Sequence, residues 1–425
     1  MMKLRMQLRT QLRWLIYTIP IGILAGLSSA LFLYVLDWVS EIRIENIWLV
    51  YLLPLAGFFI GYIYFRYGGE SSKGTNLVIN QLHEPTKLLP RQMGFFVMVG
   101  TWLSHLFGAS VGREGTALQL SSSLAEMFFS KLKLLKENDK SRKVILVCAK
   151  AGGFGAVFGI PLAGAIFALE VQKIGKLKIE LILPVLATSF IGNYMVLLTG
   201  YHHFDYPNIS FSFNDHLSIS FWAKILILGI IFGITSNIFS LSIRFLQKNF
   251  SNKIKYSPLR PFIGGIILII AFYGFGSQYQ GLSISLIKDA MYGNNVALSV
   301  FAIKILVTVI ALSFGFIGGE VTPLFVIGAT LGAGLAYSFG RFFKMDVAFI
   351  AALGLVAVFG GTSNTPIASA VIGMELFGVA IALPVLLACC VSYMFSVEKG
   401  IYHAQARPHH FKIINFIGNR MKSIL

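Results

Sequence analysis

The sequence predicts an all-α polytopic membrane protein of two repeated halves, with helices broken inside the membrane. Three observations predict it. Of 425 residues, 56% are apolar and only 12% charged, about half of the roughly 25% charge of a soluble chain. The apolar runs are interrupted by Gly, Ser and Pro instead of forming uniform spans of about 20 residues. Motifs of the first half return, in the same order, in the second. A disordered chain is excluded, because such chains are polar and poor in aromatics and Phe alone occurs 37 times. Collagen-like, disulfide-scaffold and coiled-coil classes fail on the same composition.

Residues 1–13 form a basic N-terminal segment (Lys3, Arg5, Arg9, Arg13) ahead of a first apolar run over 14–39. That run is too long for the apolar part of a signal peptide, and no small-residue cleavage site follows. Further runs lie at about 47–66, 94–109, 114–129, 144–171, 179–199, 220–246, 261–277, 297–317, 321–340, 346–360 and 366–395. Several are too short to span. Breaks such as Gly108-Ala109-Ser110-Val111-Gly112 and Gly360-Gly361-Thr362-Ser363-Asn364-Thr365-Pro366 fall within apolar context. Short, interrupted spans are expected in transporters, where half-helices end inside the membrane and aim their termini at an ion. Backbone of that kind must be buried or line a cavity.

The net charge is +17, with basic clusters at 1–13, 131–143, 173–178, 244–260 and 399–422. The loop 201–219 has no Lys or Arg. The positive-inside rule therefore puts that loop outside and both termini in the cytoplasm. On this reading the basic balance belongs to membrane loops and a C-terminal tail (406–425), not to a nucleic-acid partner. Cys148, Cys389 and Cys390 lie in apolar runs without metal-ligand spacing and read as buried thiols. No metal or cofactor is expected.

The repeat is explicit. Gly112-Arg113-Glu114-Gly115-Thr116-Ala117-Leu118 matches Gly318-Gly319-Glu320-Val321-Thr322-Pro323-Leu324 at an offset of 206. Pro161-Leu162-Ala163-Gly164-Ala165 with Glu170 matches Pro366-Ile367-Ala368-Ser369-Ala370 with Glu375 at 205. Ala156-Val157-Phe158 returns as Ala357-Val358-Phe359. The halves are about 14–200 and 220–400. Such repeats are often inverted, with the ion site near midplane where they meet.

Glu114 follows a glycine-rich break and opens a helical run, so it sits at a helix N-terminus within the membrane. Exposed N–H groups and the helix dipole suit an anion there. A carboxylate at that point is a tethered anion, which a mobile anion can displace and a proton can then neutralise. Glu320 is its repeat-mate, after Gly318 and Gly319, with the Thr322 hydroxyl two residues on. Gly74-Thr75-Asn76-Leu77 offers N–H groups, a hydroxyl and an amide before another helix, and is also what an ordinary N-cap looks like. From the residues alone Tyr402 reads as an interfacial tyrosine, and His105 as a satisfied polar residue. Glu170 and Glu375 stand at helix C-terminal ends, where the dipole disfavours an acid. Pairing of Glu170 with a buried cation such as Lys150, a structural role and a proton-path role all stay open. No hydrolase or nucleotide-binding motif stands in a fitting context. A membrane hydrolase using the two glutamates would need a metal or a histidine ligand, and only His105 is remotely placed. A transporter or channel is expected, not an enzyme.

At Gly112-Arg113-Glu114-Gly115-Thr116 the sequence resembles the CLC family of anion channels and anion/proton antiporters, and the likeness covers about 14–405. The resemblance implies a CLC-type inverted two-half repeat with re-entrant helices. It also implies a homodimer with a separate pathway in each subunit. Glu114 matches the gating glutamate of G-R-E-G-P, and Tyr402 the pathway tyrosine. The family's G-S-G-I-P becomes Gly74-Thr75-Asn76-Leu77-Val78. Its G-x-F-x-P becomes Gly319-Glu320-Val321-Thr322-Pro323, and Thr116 replaces the proline of the gating motif. The internal proton glutamate of chloride/proton antiporters falls on Val171, beside Glu170. This set is similar to the bacterial fluoride/proton antiporters of the family, which implies fluoride export against protons in a bacterial plasma membrane. A chloride/proton antiporter or chloride channel is the alternative. Fluoride, small and strongly hydrated, would need strong donors: the hydroxyls of Thr75, Thr322 and Tyr402, the Asn76 amide, and N–H groups near Gly74, Gly112 and Gly115. Phe ring edges can add to these. Glu114 is then expected to move between sites, with Glu320 and Thr322 holding its inward position.

Overall fold

The computed structural model describes residues 2–83, 88–131, 139–174, 179–209, 218–397 and 400–406. The basic tail after residue 406 and most of the 131–143 and 173–178 clusters lie outside these. The first half comprises α1 (Met2–Glu45), α2 (Leu53–Ile63), α3 (Thr75–His83), α4 (Met93–Leu106), α5 (Glu114–Lys131), α6 (Asp139–Phe158), α7 (Pro161–Glu170) and α8 (Ile182–Leu198). The second comprises α9 (Ile219–Lys253), α10 (Leu259–Phe275), α11 (Ile284–Met291), α12 (Ser299–Phe314), α13 (Val321–Ser338), the short α14 (Gly340–Phe343), α15 (Val347–Ser363), α16 (Pro366–Phe377) and α17 (Ala382–Phe395).

Among the described residues, five helical stretches are long and apolar enough to cross a membrane: Trp14–Glu45, Ile47–His83, Ile179–Leu198, Ile219–Lys253 and Val321–Ser338. Seven other apolar helices have only 10–17 residues. Helix α1 runs from Met2, and its apolar stretch of membrane length starts at Trp14. Two boundaries differ from the apolar pattern. The run 144–171 is two helices, split where Gly159 takes a positive φ and Pro161 starts α7. The run 366–395 is also two, split at Gly378. Hydropathy cannot see these breaks, since each turn is made by small or apolar residues. Proline suits the first turn of α7 and α16 because its missing N–H has no helical acceptor there.

The packing repeats as the sequence does. In the first half α1 packs on α4, α6 and α8, and α5 on α6; in the second α9 packs on α12, α15 and α17, and α13 on α15. Across the halves α2 meets α10 and α7 meets α16. Two carboxylates define the second contact. Glu170, at the end of α7, accepts from the N–H groups of Ile367 (3.2 Å) and Ala368 (2.7 Å) at the start of α16. Glu375, near the end of α16, accepts from Leu162 (2.9 Å) and Ala163 (2.6 Å) at the start of α7. Each helix end thus touches the other's beginning, so the two run antiparallel, as an inverted repeat requires. This corrects the expectation that both acids sit at an unfavourable end. Each lies at the C-terminus of its own helix but on the N-terminus of its partner, and the backbone, not Lys150, supplies the donors.

A hydrogen bond to a charged acceptor contributes about 1.5–3 kcal/mol. Glu170 is 2% exposed, whereas Glu375 lies nearer the surface. Glu170→Ala is expected to destabilise by ~2–4 kcal/mol and Glu375→Ala by less. Thermal unfolding of the purified protein checks this, and an unchanged midpoint for Glu170→Ala refutes the capping role.

Candidate functional site

The N-termini of α5 and α13, one from each half, meet at a reciprocal pair of hydrogen bonds. Gly112 N donates to Gly319 O (2.6 Å) and Gly319 N to Gly112 O (2.7 Å). Only glycine permits the approach. A Cβ on Gly319 would stand 2.7 Å from Gly115 N and 2.9 Å from Glu114 N, and one on Gly112 2.8 Å from Gly319 O. Glu114 is fully buried, at 0% exposure. Its carboxylate accepts from Arg113 N (3.1 Å), from Thr322 N (3.2 Å) and from the Thr322 hydroxyl. The Arg113 guanidinium stands 3.9 Å away. The carboxylate therefore occupies an anion site made largely by the helix N-terminus of the other half.

Beside this crossing lies a cavity of about 790 Å³. Gly74, Thr75, Asn76, Gln119, Glu320 and Tyr402 line it, together with the basic Lys73, Arg244, Lys248 and Arg260. Gln119 Nε2 donates to Thr75 Oγ1 (3.3 Å), and Asn76 Oδ1 accepts from Ala404 N (3.1 Å). The second bond ties the start of α3 to the segment that carries Tyr402. Tyr402 is 3% exposed, and its hydroxyl has no partner among the described residues. Phe167 meets the Tyr402 ring edge to face at 6.2 Å, and Phe325 meets Phe359 likewise at 5.6 Å. The positive ring edges of such clusters favour an anion. The basic walls raise the local anion concentration.

The sequence-predicted residues fall into two groups. Gly74, Thr75, Asn76, Glu320 and Tyr402 line the cavity. Gly112, Glu114, Gly115 and Thr322 form the crossing. Thr322 alone of the expected pair holds Glu114, while Glu320 is part-exposed to the cavity. Tyr402 is no interfacial tyrosine, being buried against Phe167. His105 bonds Thr101 O through Nδ1 (2.8 Å). Cys148 and Cys389 are buried free thiols and Cys390 is half-buried. Sequence reasoning missed Gln119, whose signal was the one amide of α5. It also missed Lys304, fully buried on α12. Lys304 Nζ donates to Ser110 Oγ and Ser283 Oγ (both 2.8 Å) and to Gly281 O (3.1 Å). Ser110 also bonds Thr308 (2.9 Å). These bonds fix the loop that presents Glu114.

The family model described as "Voltage gated chloride channel" matches residues 56–397. The chain belongs to the voltage-gated chloride channel (CLC) family. Among CLC relatives, the "Chloride/fluoride channel protein" of Pseudomonas syringae pv. tomato is 39% identical, over 93% of this chain and 87% of its own length. The "H(+)/Cl(-) exchange transporter ClcA" of Cronobacter sakazakii is 26% identical, over 90% of this chain and 86% of its own length. Of solved CLC structures, a CLC-type fluoride/proton antiporter superposes with a TM-score of 0.88 at 32% identity, over 93% of this chain and 98% of that one. A slow cyanobacterial Cl-/H+ antiporter shares the fold at a TM-score of 0.77 and 19% identity, over 90% and 94%.

Gly319→Ala pushes a methyl into the backbone of Gly115 and Glu114. Ion flux in liposomes is expected to fall at least about tenfold, since a displacement of about 1 Å at a reacting site can cost on the order of 100-fold. Flux equal to wild type refutes the need for this approach.

Proposed function

We propose that the chain exports fluoride in exchange for protons. The observation that carries the reading is the grip of Thr322 on Glu114: N–H and hydroxyl of one residue both donate to one carboxylate. A site that presents a hydroxyl and an N–H together, one to each oxygen of the carboxylate, suits a small, hard, strongly hydrated anion, which needs replacement donors for its lost water. The unpartnered Tyr402 hydroxyl and the Thr75 hydroxyl add two further donors along the cavity. The names of the Pseudomonas relative and of the superposed antiporter support fluoride. The alternative is chloride/proton exchange, the activity named for the more distant relatives.

In this reading fluoride enters from the basic cavity, meets Thr75, Tyr402 and Asn76, and displaces the Glu114 carboxylate. The freed carboxylate takes a proton from outside and carries it inward, where Glu320 receives it. Gly74, Gly112 and Gly115 leave room for the exchange of anion and carboxylate. The protein works as a homodimer with a pathway in each subunit. It sits in a bacterial plasma membrane with both termini cytoplasmic, and its membrane domain covers 14–405.

The test is flux from fluoride-loaded and chloride-loaded liposomes with pH recorded. Proton movement driven by a fluoride gradient and not by chloride is expected; protons indifferent to fluoride sink the reading. Glu114→Gln mimics the protonated side chain and is expected to cut proton movement at least ~tenfold while anions still pass, on the scale of losing an acid–base group. Unchanged coupling would remove Glu114 from the proton role. Glu320→Gln is expected to cut exchange at least ~tenfold with thermal stability retained; normal exchange would make Glu320 structural.

A further inference from the structure

The hydrogen bonds around the cavity share a direction. Gln119 Nε2 donates to Thr75 Oγ1 (3.3 Å), and Ala404 N donates to Asn76 Oδ1 (3.1 Å). In both cases a neighbour covers the oxygen, while the side-chain hydrogens of Thr75 and Asn76 have no acceptor among the described residues. The Tyr402 hydroxyl has no partner among them either. A threonine hydroxyl has one proton and two lone pairs, and the proton turns to suit its surroundings. Left alone, it accepts as readily as it donates. A donor held against its oxygen removes that freedom, because the proton must then point elsewhere. For Thr75 the side left is the cavity that it lines.

The placement of Gln119 follows from α5. Residues 115 and 119 stand one turn apart on one face of that helix. Gly115 is bare, and a Cβ there would lie 3.4 Å from Thr75 Oγ1. The Thr75 oxygen thus sits against the first turn of α5, within reach of the next side chain on that face. A Cβ on Gly74 would lie 3.5 Å from Gln119 Nε2, so the amide packs on the start of α3. Gln119 is 7% exposed, which restricts its own freedom to turn.

We propose that Gln119 is a positioning residue for the transported anion: by donating to the Thr75 oxygen it fixes the Thr75 hydroxyl as a donor aimed at the ion. The inference deepens the exchange reading and rests on it. A halide accepts hydrogen bonds and gives none. A hydroxyl free to turn must be reoriented each time an ion arrives, whereas one set beforehand has no such cost at that moment. Fluoride gains most, because a small hard anion gives up the most hydration and hydrogen bonds to a charged acceptor are the strong ones. The amide also polarises the hydroxyl, since hydrogen bonds in a chain strengthen one another away from bulk water. Gln119 acts in this way without touching the ion.

The experiment uses the full chain in liposomes and reads the apparent fluoride KM and the maximal rate from fluoride-driven proton uptake. Gln119→Met keeps the length of the side chain and removes the donor. It is expected to raise KM about tenfold, the scale of one hydrogen bond to a charged group. In a Thr75→Val background, which has no hydroxyl to orient, the same substitution is expected to change KM by less than about twofold. A wild-type KM in Gln119→Met overturns the proposal. So does an equal rise with and without the Thr75 hydroxyl, because Gln119 would then serve the fold alone. If thermal unfolding shows that Gln119→Met does not fold, Gln119→Leu removes the donor with a smaller side chain. It is read through the same pair of backgrounds, and the same two results overturn the proposal. Wild-type vesicles settle the anion separately: should chloride and not fluoride drive proton uptake, the fluoride reading falls and the same variants are read for their chloride KM.

Discussion

Helices that begin inside a membrane leave N–H groups that no water satisfies, and the rest of this structure follows from how those groups are filled. Three helix beginnings are met by carboxylates from the opposite half. Glu170 fills the start of α16 and Glu375 the start of α7. Glu114, from α5, fills the start of α13 through Thr322. Each contact is local in space but spans about two hundred residues of chain, so the carboxylates join the halves as well as capping the helices.

The three acids differ in what surrounds them. Glu170 and Glu375 are held by paired N–H groups at the starts of α16 and α7. Glu114 stands at the crossing of Gly112 and Gly319, where close backbone contact replaces side chains, and next to the residues that open onto the large cavity. In the proposed exchange, the same electrostatic device serves as a fixed clasp twice and as a displaceable anion once. What differs is the setting: Glu114 accepts from the Thr322 hydroxyl as well as N–H groups and stands beside the cavity, whereas the other two accept from N–H groups.

Much of this was legible in the sequence because the membrane limits the alphabet. With 18 acids in 425 residues, any acid beside a glycine break stands out, and repetition of Glu114 as Glu320 marked the crossing. The glycines at 112 and 319 were legible for the same reason: nothing larger fits. Less legible were features that depend on which surface faces which. Gln119 is the one amide of α5 and Lys304 the one charged residue of α12, and their partners, Thr75 and Ser110, lie far off in sequence. Tyr402 follows the last apolar run, so a linear reading places it at the membrane surface, whereas the chain folds back and buries it against Phe167.

By itself the sequence determined the helical membrane class, the two halves and the glycine-framed acids, because composition and repetition are one-dimensional properties. Only the tertiary structure decided the pairing of helix beginnings with distant carboxylates. Hydrogen bonds across the halves are not written in any local pattern. It turned Glu170 and Glu375 from misplaced acids into caps. It set Thr322, not Glu320, against Glu114, and it gave Glu320 the cavity. A side chain's neighbours within its helix fix its period, but the burial and field that give an acid its role come from the opposite half.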